Sequence, residues 1–163
     1  MTDYVLRAAT PADASELLRL IHALAVYEKL EDMAVGTPEL LHGALFGARP
    51  AAEAVIAERG GRAVGFALFF TTFSTFLCKP GLYLEDLFVE PEHRGLGIGK
   101  GLLRHLARLA VERGCGRLEW RVLDWNAPSI RFYESLGASL LPEWELVRMT
   151  EPEFRSLAGK MAG

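Results

Sequence analysis

The sequence predicts an α/β fold in which helices flank a central sheet that is only partly parallel. Strand-like and helix-like apolar patterns follow one another along the 163 residues. An early pair of strand patterns is joined by Arg59-Gly60-Gly61-Arg62, a turn signal typical of an antiparallel hairpin. Half of the residues are hydrophobic and 24% are charged, which favours a packed globule over a disordered chain. This length predicts one domain, residues 1–163.

The first half of the chain predicts two helices and three strands. Residues 4–7 predict a short first strand. Residues 11–28 predict a helix, because Leu17, Leu20, Ile21 and Leu24 fall on one helical face. A second helix is predicted over residues 37–46, and apolar runs predict strands over residues 54–58 and 63–72.

The second half begins with Pro80 and Gly81, which predict a break before a strand over residues 82–89. A long third helix follows, with Ile98, Leu102 and Leu106 on one face. Alternating polarity predicts a strand over residues 117–122. A short helix then begins at Asn126 and ends before Gly137, and the chain closes with a strand near residues 146–149 and a C-terminal helix.

Composition and charge exclude several classes of partner. A net charge of −3 is no electrostatic footprint for nucleic acid or an anionic membrane. The sequence has no apolar span of about twenty residues, and its first four residues are too polar for an export leader. The two cysteines, Cys78 and Cys115, lack metal-ligand spacing. We therefore expect a reduced cytoplasmic protein that binds no metal, nucleic acid or membrane.

A glycine-rich turn, Arg94-Gly95-Leu96-Gly97-Ile98-Gly99, stands between the predicted strand over residues 82–89 and the third helix. Strand, glycine turn and helix is the arrangement that binds phosphate, because the glycine backbone approaches the anion and the helix presents unpaired N–H groups. Arg94 and Lys100 add positive charge beside the turn. The turn lacks the hydroxyl residue of a Walker loop, and a glycine-rich turn without a ligand stays an alternative.

The spacing of this turn, together with Asn126-Ala127-Pro128-Ser129-Ile130-Arg131-Phe132-Tyr133, resembles the two signatures of the GNAT N-acetyltransferases. The runs Tyr83-Leu84-Glu85-Asp86 and Trp125-Asn126-Ala127-Pro128-Ser129 are more specific and resemble the diamine (spermidine/spermine) and thialysine acetyltransferases. The resemblance implies the GNAT fold, a mixed, V-splayed central sheet flanked by helices. It implies that acetyl-CoA enters where the fourth and fifth strands separate. It also implies a homodimer that acetylates a primary amine of a small diamine, polyamine or lysine-like molecule.

The resemblance assigns roles to individual residues as well. Tyr133 is implied as the general acid, and Glu85 as the group that binds the amine and relays its proton. Contacts with acetyl-CoA are implied for Leu87, Phe88, Val89, Arg94, Gly95, Leu96, Gly97, Ile98, Gly99, Lys100, Asn126 and Ser129. Contacts with the amine are implied for Tyr27, Glu28, Glu85, Asp86, Glu119 and Glu143.

The residues themselves leave structural interpretations open. Glu85 and Asp86 are neighbours in a strand, so their side chains line one cleft only if the strand bulges, and either could instead form a structural ion pair. Helical periodicity alone makes Tyr133 a core residue. Two other functions also stay open: an acetyltransferase for protein N-termini or antibiotics, and a non-catalytic acyl-CoA-binding module.

Overall fold

The computed structural model describes residues 3–159. Met1, Thr2 and residues 160–163 of the predicted domain lie outside the described residues. The chain divides into two compact units, a first through Arg121 and a second from Val122, and each is described by itself.

Within its described residues, the first unit has five strands and three α-helices. The strands are β1 (Val5–Ala8), β2 (Glu53–Arg59), β3 (Arg62–Ser74), β4 (Lys79–Val89) and β5 (Leu118–Trp120). The helices are α1 (Ala14–Glu28), α2 (Pro38–Phe46) and α3 (Ile98–Glu112). Short 3₁₀ turns lie at Pro11–Asp13, Glu31–Met33 and Pro91–His93. The helices and strands predicted for this unit are confirmed, with boundaries that shift by a few residues.

The five strands form one sheet in the order β1-β2-β3-β4-β5. The first four strands pair antiparallel with their chain neighbours, and β5 pairs parallel with β4. The parallel ladder is short, running only from Leu82 opposite Leu118 to Leu84 opposite Trp120. Beyond Leu84, β4 continues to Val89 while its ladder to β5 has ended, which confirms the mixed sheet that splays between its fourth and fifth strands.

Each face of the sheet is buried by helices. One core cluster joins Leu17 and Leu20 of α1 and Leu45 of α2 to Phe66 and Phe88 of the sheet. On α3, the buried positions Ile98, Leu102 and Leu106 follow the helical period, and the helix contacts β3 and β4. Because β2 has helices over both faces, its residues 54–57 are all buried rather than alternating.

The predicted break at Pro80 and Gly81 is wrong, because both residues belong to β4. Pro80 lies opposite Phe73 near the hairpin end of the strand, where its missing N–H is tolerated, and its carbonyl accepts a hydrogen bond of 2.8 Å from Gly116 N–H. Gly81 lies opposite Thr72, and a Cβ there would come within 2.7 Å of the Thr72 hydroxyl oxygen. The glycine therefore allows a close approach within the sheet and does not end the strand.

The second unit contains α4 (Ala127–Ser135) and α5 (Glu151–Gly159). The Asn126 side chain accepts a bond of 3.4 Å from Ser129 N–H at the start of α4, and Gly137 follows its end with φ +92°, which confirms both predicted signals. The strand predicted near residues 146–149 is wrong: no strand forms there, and Val147 is 91% exposed. Apolar, β-favouring residues make a strand only where a partner ladder is available.

Among residues 3–159, no helix has both the length and the apolar character that crossing a bilayer requires.

Candidate active site

The glycine-rich turn between β4 and α3 has the backbone of an anion site. Gly95 and Gly97 adopt φ of +78° and +81°, values that L side chains rarely adopt. Gly97 directly precedes α3, and no side chain of the described residues caps this helix, whereas Thr37 caps α2. The first N–H groups of α3 are thus left for a ligand, and an anion placed there gains from the helix dipole. These residues therefore fit the pyrophosphate of acetyl-CoA.

Arg94 links this turn to the end of α1. Its Nε donates a hydrogen bond of 3.0 Å to the carbonyl of Val89, which fixes the side chain beside the last residue of β4. Its guanidinium carbon lies 4.7 Å from the centre of the Tyr27 ring and 5.7 Å from that of Phe88. The structure thus brings a predicted acetyl-CoA residue into a cation–π contact with a predicted amine-site residue.

A β-bulge in β4 occurs at the predicted acidic residues. Opposite β3, Asp86 pairs with Leu68 and Leu84 pairs with Phe69, so Glu85 is the extra residue. Paired residues share a face, so Asp86 lies on the face of Leu68, which packs toward α1 and α2, while Leu84 lies on the opposite face with Phe69. The bulge removes the strict alternation that would separate the two carboxylates. The sequence allows the two carboxylates to line one cleft only if the strand bulges, and β4 has that bulge.

The electrostatics of this region are dominated by three carboxylates. The pKa of Asp86 is raised to about 6, first by burial and then by the negative charges of Glu85 and Glu28, while Arg121 lowers it. Burial also raises the pKa of Glu28. Arg121 lies 3.8 Å from a Glu85 oxygen. Because these carboxylates repel one another, a bound cation would lower the electrostatic free energy of the region.

Arg121 also lies in this acidic region, and the sequence predicted no role for it. Two residues after Glu119, it falls on the same face of the strand predicted over residues 117–122, but a partner on β4 depends on the register of the sheet. Its guanidinium also lies 5.8 Å from the centre of the Tyr83 ring, itself stacked on Phe70 with 5.1 Å between ring centres. Glu119 lies on β5, where its carboxylate pairs with Arg117 at 2.8 Å.

The start of the glycine-rich turn is anchored by a buried carboxylate. Glu90 is only 5% exposed, and one of its oxygens accepts bonds from Arg19 at 2.5 Å and Arg62 at 2.9 Å. Its other oxygen lies 3.9 Å from His93 Nε2. Glu90, Glu92 and His93 bring potential metal-ligating atoms within 4.8 Å of one another, but the guanidinium groups around Glu90 oppose a cation there. We interpret this group as structural support for the turn.

The second unit carries the other predicted site residues. Asn126 is buried and caps α4 through its side-chain oxygen, and Ser129 supplies the N–H that it accepts. Tyr133 is half-buried on α4, with its ring centre 5.5 Å from that of Phe132. Glu143 is exposed in a turn closed by a hydrogen bond of 3.2 Å from Trp144 N–H to the Leu141 carbonyl.

Comparison with known proteins places these features in a family context. The model of the acetyltransferase (GNAT) family matches residues 19–138. Thialysine N-epsilon-acetyltransferase of Bos taurus is 37% identical, over 98% of this chain and 100% of its own length. L-ornithine N5-acetyltransferase of Arabidopsis thaliana is 33% identical, over 93% of this chain and 86% of its own. An integron cassette protein of V. cholerae matches the fold with a TM-score of 0.81 at 28% identity, covering 97% and 99% of the two chains.

Proposed function

The chain belongs to the GNAT acetyltransferase family and is an acetyl-transferring enzyme that uses acetyl-CoA, and from this premise we propose that its acceptor is a small diamine, polyamine or lysine-like molecule. The observation that carries the proposal is the group of Glu28, Glu85 and Asp86, set where β4 and β5 separate. Of the two relatives described above, one is named a thialysine N-epsilon-acetyltransferase and the other an L-ornithine N5-acetyltransferase, and each name specifies an amine nitrogen of a lysine-like molecule. Such a molecule carries positive charge that this acidic group would attract.

The reaction needs the amine to lose its proton before it attacks. At neutral pH, deprotonating a primary amine with a pKa near 10 costs roughly 4–5 kcal/mol. We propose that Glu85 binds the ammonium and relays the proton, as its position in the bulge allows. Asp86, whose pKa is raised to about 6 mainly by burial, can take up a proton close to neutral pH. The two carboxylates would then share the proton relay.

Acetyl-CoA supplies the acetyl group as a thioester. We propose that Arg94, Lys100 and the backbone of residues 95–99 hold its pyrophosphate, and that the backbone of residues 87–89, beyond the ladder to β5, holds the acetyl end. Asn126 and Ser129 are proposed to contact the pantetheine arm. Tyr133 is proposed to protonate the departing thiolate, because its phenolic O–H is a hydrogen-bond and proton donor.

At the amine site, we propose that Tyr27 and Glu28 line the pocket, with Glu119 and Glu143 as further acidic contacts. The raised pKa of Glu28 places this residue among the groups that a bound cation would stabilise.

We also propose that the protein is a homodimer located in the cytoplasm. The resemblance to diamine acetyltransferases supports the dimer, as does exposed apolar surface in the second unit, where Trp144 is 74% and Val147 91% exposed. The free thiols of Cys78 and Cys115 agree with a reducing compartment.

The test is a thiol-release assay with acetyl-CoA, comparing a diamine with a monoamine of equal length. We expect kcat/KM to favour the diamine by about 5–150-fold, since a partly desolvated charge-assisted contact contributes about 1–3 kcal/mol. Glu28→Gln is expected to raise KM for the diamine more than for the monoamine. Glu112→Gln removes an exposed charge at the end of α3 and serves as the matched control. Equal efficiency on both amines, unchanged by Glu28→Gln, would contradict the proposed substrate class.

A different outcome separates the other functions. Turnover with peptide N-termini or aminoglycosides but not with diamines would favour an acetyltransferase of another specificity. Binding of acetyl-CoA without thiol release on any amine would favour a binding module.

A further inference from the structure

Gly101 is a glycine that the acetyl-CoA motif does not explain. The motif ends at Gly99, whereas Gly101 lies inside α3. A glycine in a helix interior destabilises the helix relative to alanine. The structure supplies the reason for its presence: a Cβ at this position would overlap the Tyr4 hydroxyl and lie 3.1 Å from Tyr4 Cζ. Gly101 therefore makes room for an aromatic ring that comes from the other end of the first unit.

The Tyr4 hydroxyl makes a specific contact in this space. It donates a hydrogen bond of 3.2 Å to the carbonyl oxygen of Gly97, a residue 93 positions away in the chain. The same oxygen accepts the helical bond of 2.9 Å from Gly101 N–H. Tyr4 directly precedes β1, whose pairing with β2 fixes the backbone beside it. The contact thus ties the glycine-rich turn to the edge of the sheet.

The hydrogen bond from Tyr4 also affects the anion site, because its acceptor belongs to a peptide group at that site. The carbonyl of Gly97 and the N–H of Ile98 belong to the same peptide group, and Ile98 is the first residue of α3. A hydrogen bond donated to a carbonyl polarises the peptide and strengthens its N–H as a donor. The N–H groups of the first helical turn are the ones left without intrahelical partners. The Tyr4 hydroxyl therefore acts on a group placed to meet a phosphate.

We propose that Tyr4 is a positioning residue for the pyrophosphate of acetyl-CoA. Its ring occupies the space left by Gly101, and its hydroxyl holds and polarises the Gly97–Ile98 peptide. This inference rests on the proposed acetyl-CoA site at the glycine-rich turn. Tyr4 itself touches neither the amine nor the acetyl group in this account, so it acts on coenzyme affinity and not on the chemical step.

The first test is Tyr4→Phe, which keeps the ring and removes the hydroxyl. Titration calorimetry should give an acetyl-CoA Kd raised about 3–10-fold, the range expected for one hydrogen bond at a ligand site. The kcat at saturating acetyl-CoA and the KM for the amine should stay within about two-fold of wild type. A Kd equal to that of wild type would overturn the proposal.

The second test uses Gly101→Ala in two backgrounds. In the wild-type background the added Cβ displaces Tyr4, and we expect the acetyl-CoA Kd to rise at least as much as in Tyr4→Phe. In a Tyr4→Ala background the space is open, and Gly101→Ala should leave the Kd unchanged. Gly43→Ala is the matched control, because Gly43 lies inside α2 with nothing within 4 Å of an added Cβ.

The outcomes distinguish this proposal from the function on which it rests. An equal effect of Gly101→Ala in both backgrounds would show that the alanine acts without Tyr4 and would overturn the positioning role alone. Failure of the wild-type protein to bind acetyl-CoA would overturn the proposed coenzyme site, and the positioning role with it. If Gly101→Ala does not fold, Tyr4→Phe still decides, because it adds no atoms.

Discussion

At the residue scale, Asp86 is an acid whose surroundings oppose its charge. Its pKa is raised from 3.8 to about 6, so the folded state holds the proton more tightly than the unfolded state. The free energy of unfolding therefore falls as pH rises from about 4 to about 6, and the ionised carboxylate destabilises the fold by about 1–3 kcal/mol at pH 7. Asp86→Asn should raise the melting temperature at pH 7 by about 2–12 °C and leave it nearly unchanged at about pH 3. The same variant should lose efficiency on a diamine.

Asp13→Asn is a control that should change the melting temperature at pH 7 in the opposite direction to Asp86→Asn. Two hydrogen bonds from Arg7, each 2.8 Å long, hold the pKa of Asp13 well below its ordinary value. Its contribution to the free energy of unfolding is present above the unfolded-state pKa and is lost as pH falls below about 4. The variant should therefore melt lower than wild type at pH 7, with the difference narrowing in acid. Stabilisation by both substitutions at pH 7 would contradict the account of Asp86.

Tyr133→Phe tests the other proposed catalytic group. The substitution keeps the ring on α4 and removes its proton. If the hydroxyl protonates the thiolate, kcat should fall by roughly 10²–10⁴-fold, while the acetyl-CoA Kd from calorimetry changes little. Near wild-type turnover would leave Tyr133 as a packing residue.

At the element scale, the turn between β4 and α3 is tested by Gly97→Glu against Gly61→Glu. Both glycines have φ near +80°, and within residues 3–159 neither has an atom closer than 4 Å to an added Cβ. The two variants should therefore suffer similar backbone strain, of order 1–2 kcal/mol. Acetyl-CoA should raise the melting temperature of wild type and of Gly61→Glu but not of Gly97→Glu, whose carboxylate repels phosphate. A full shift for Gly97→Glu would remove the turn from the coenzyme site.

The elements also show where reasoning from sequence succeeds. Local signals predicted the hairpin at Gly60 and Gly61, the capped helix after Asn126 and the apolar face of α3, because each depends on residues close in the chain. The place of Gly81 in β4 depends on Thr72 across the sheet, and the bulge at Glu85 depends on the register with β3. Such pairings join residues far apart in the chain. The sequence therefore shows that two carboxylates can line one cleft only if the strand bulges, but it does not show whether the strand bulges.

At the scale of the whole molecule, the proposed dimer predicts a particle of twice the 18.0 kDa mass of one chain. Light scattering at micromolar concentration should report that mass, and a single-chain mass would contradict the dimer. Val147→Glu should shift the equilibrium toward the single chain, because a charge at an apolar interface leaves an uncompensated desolvation penalty. Val111→Glu, at a valine that is 81% exposed on α3, is the matched control and should leave the mass unchanged.

The order of the strands determines which parts of the sheet can fold while the chain is still being translated. Each of β1 to β4 pairs with its chain neighbour, so these four strands can assemble before the rest of the polypeptide has left the ribosome. β5 arrives after α3 and adds only three residue pairs. Glu28, Glu85 and Asp86 all lie in the part synthesised first. Vectorial synthesis therefore delivers the acidic groups before Tyr133 has been translated, and a nascent chain arrested after β4 would already present their charge.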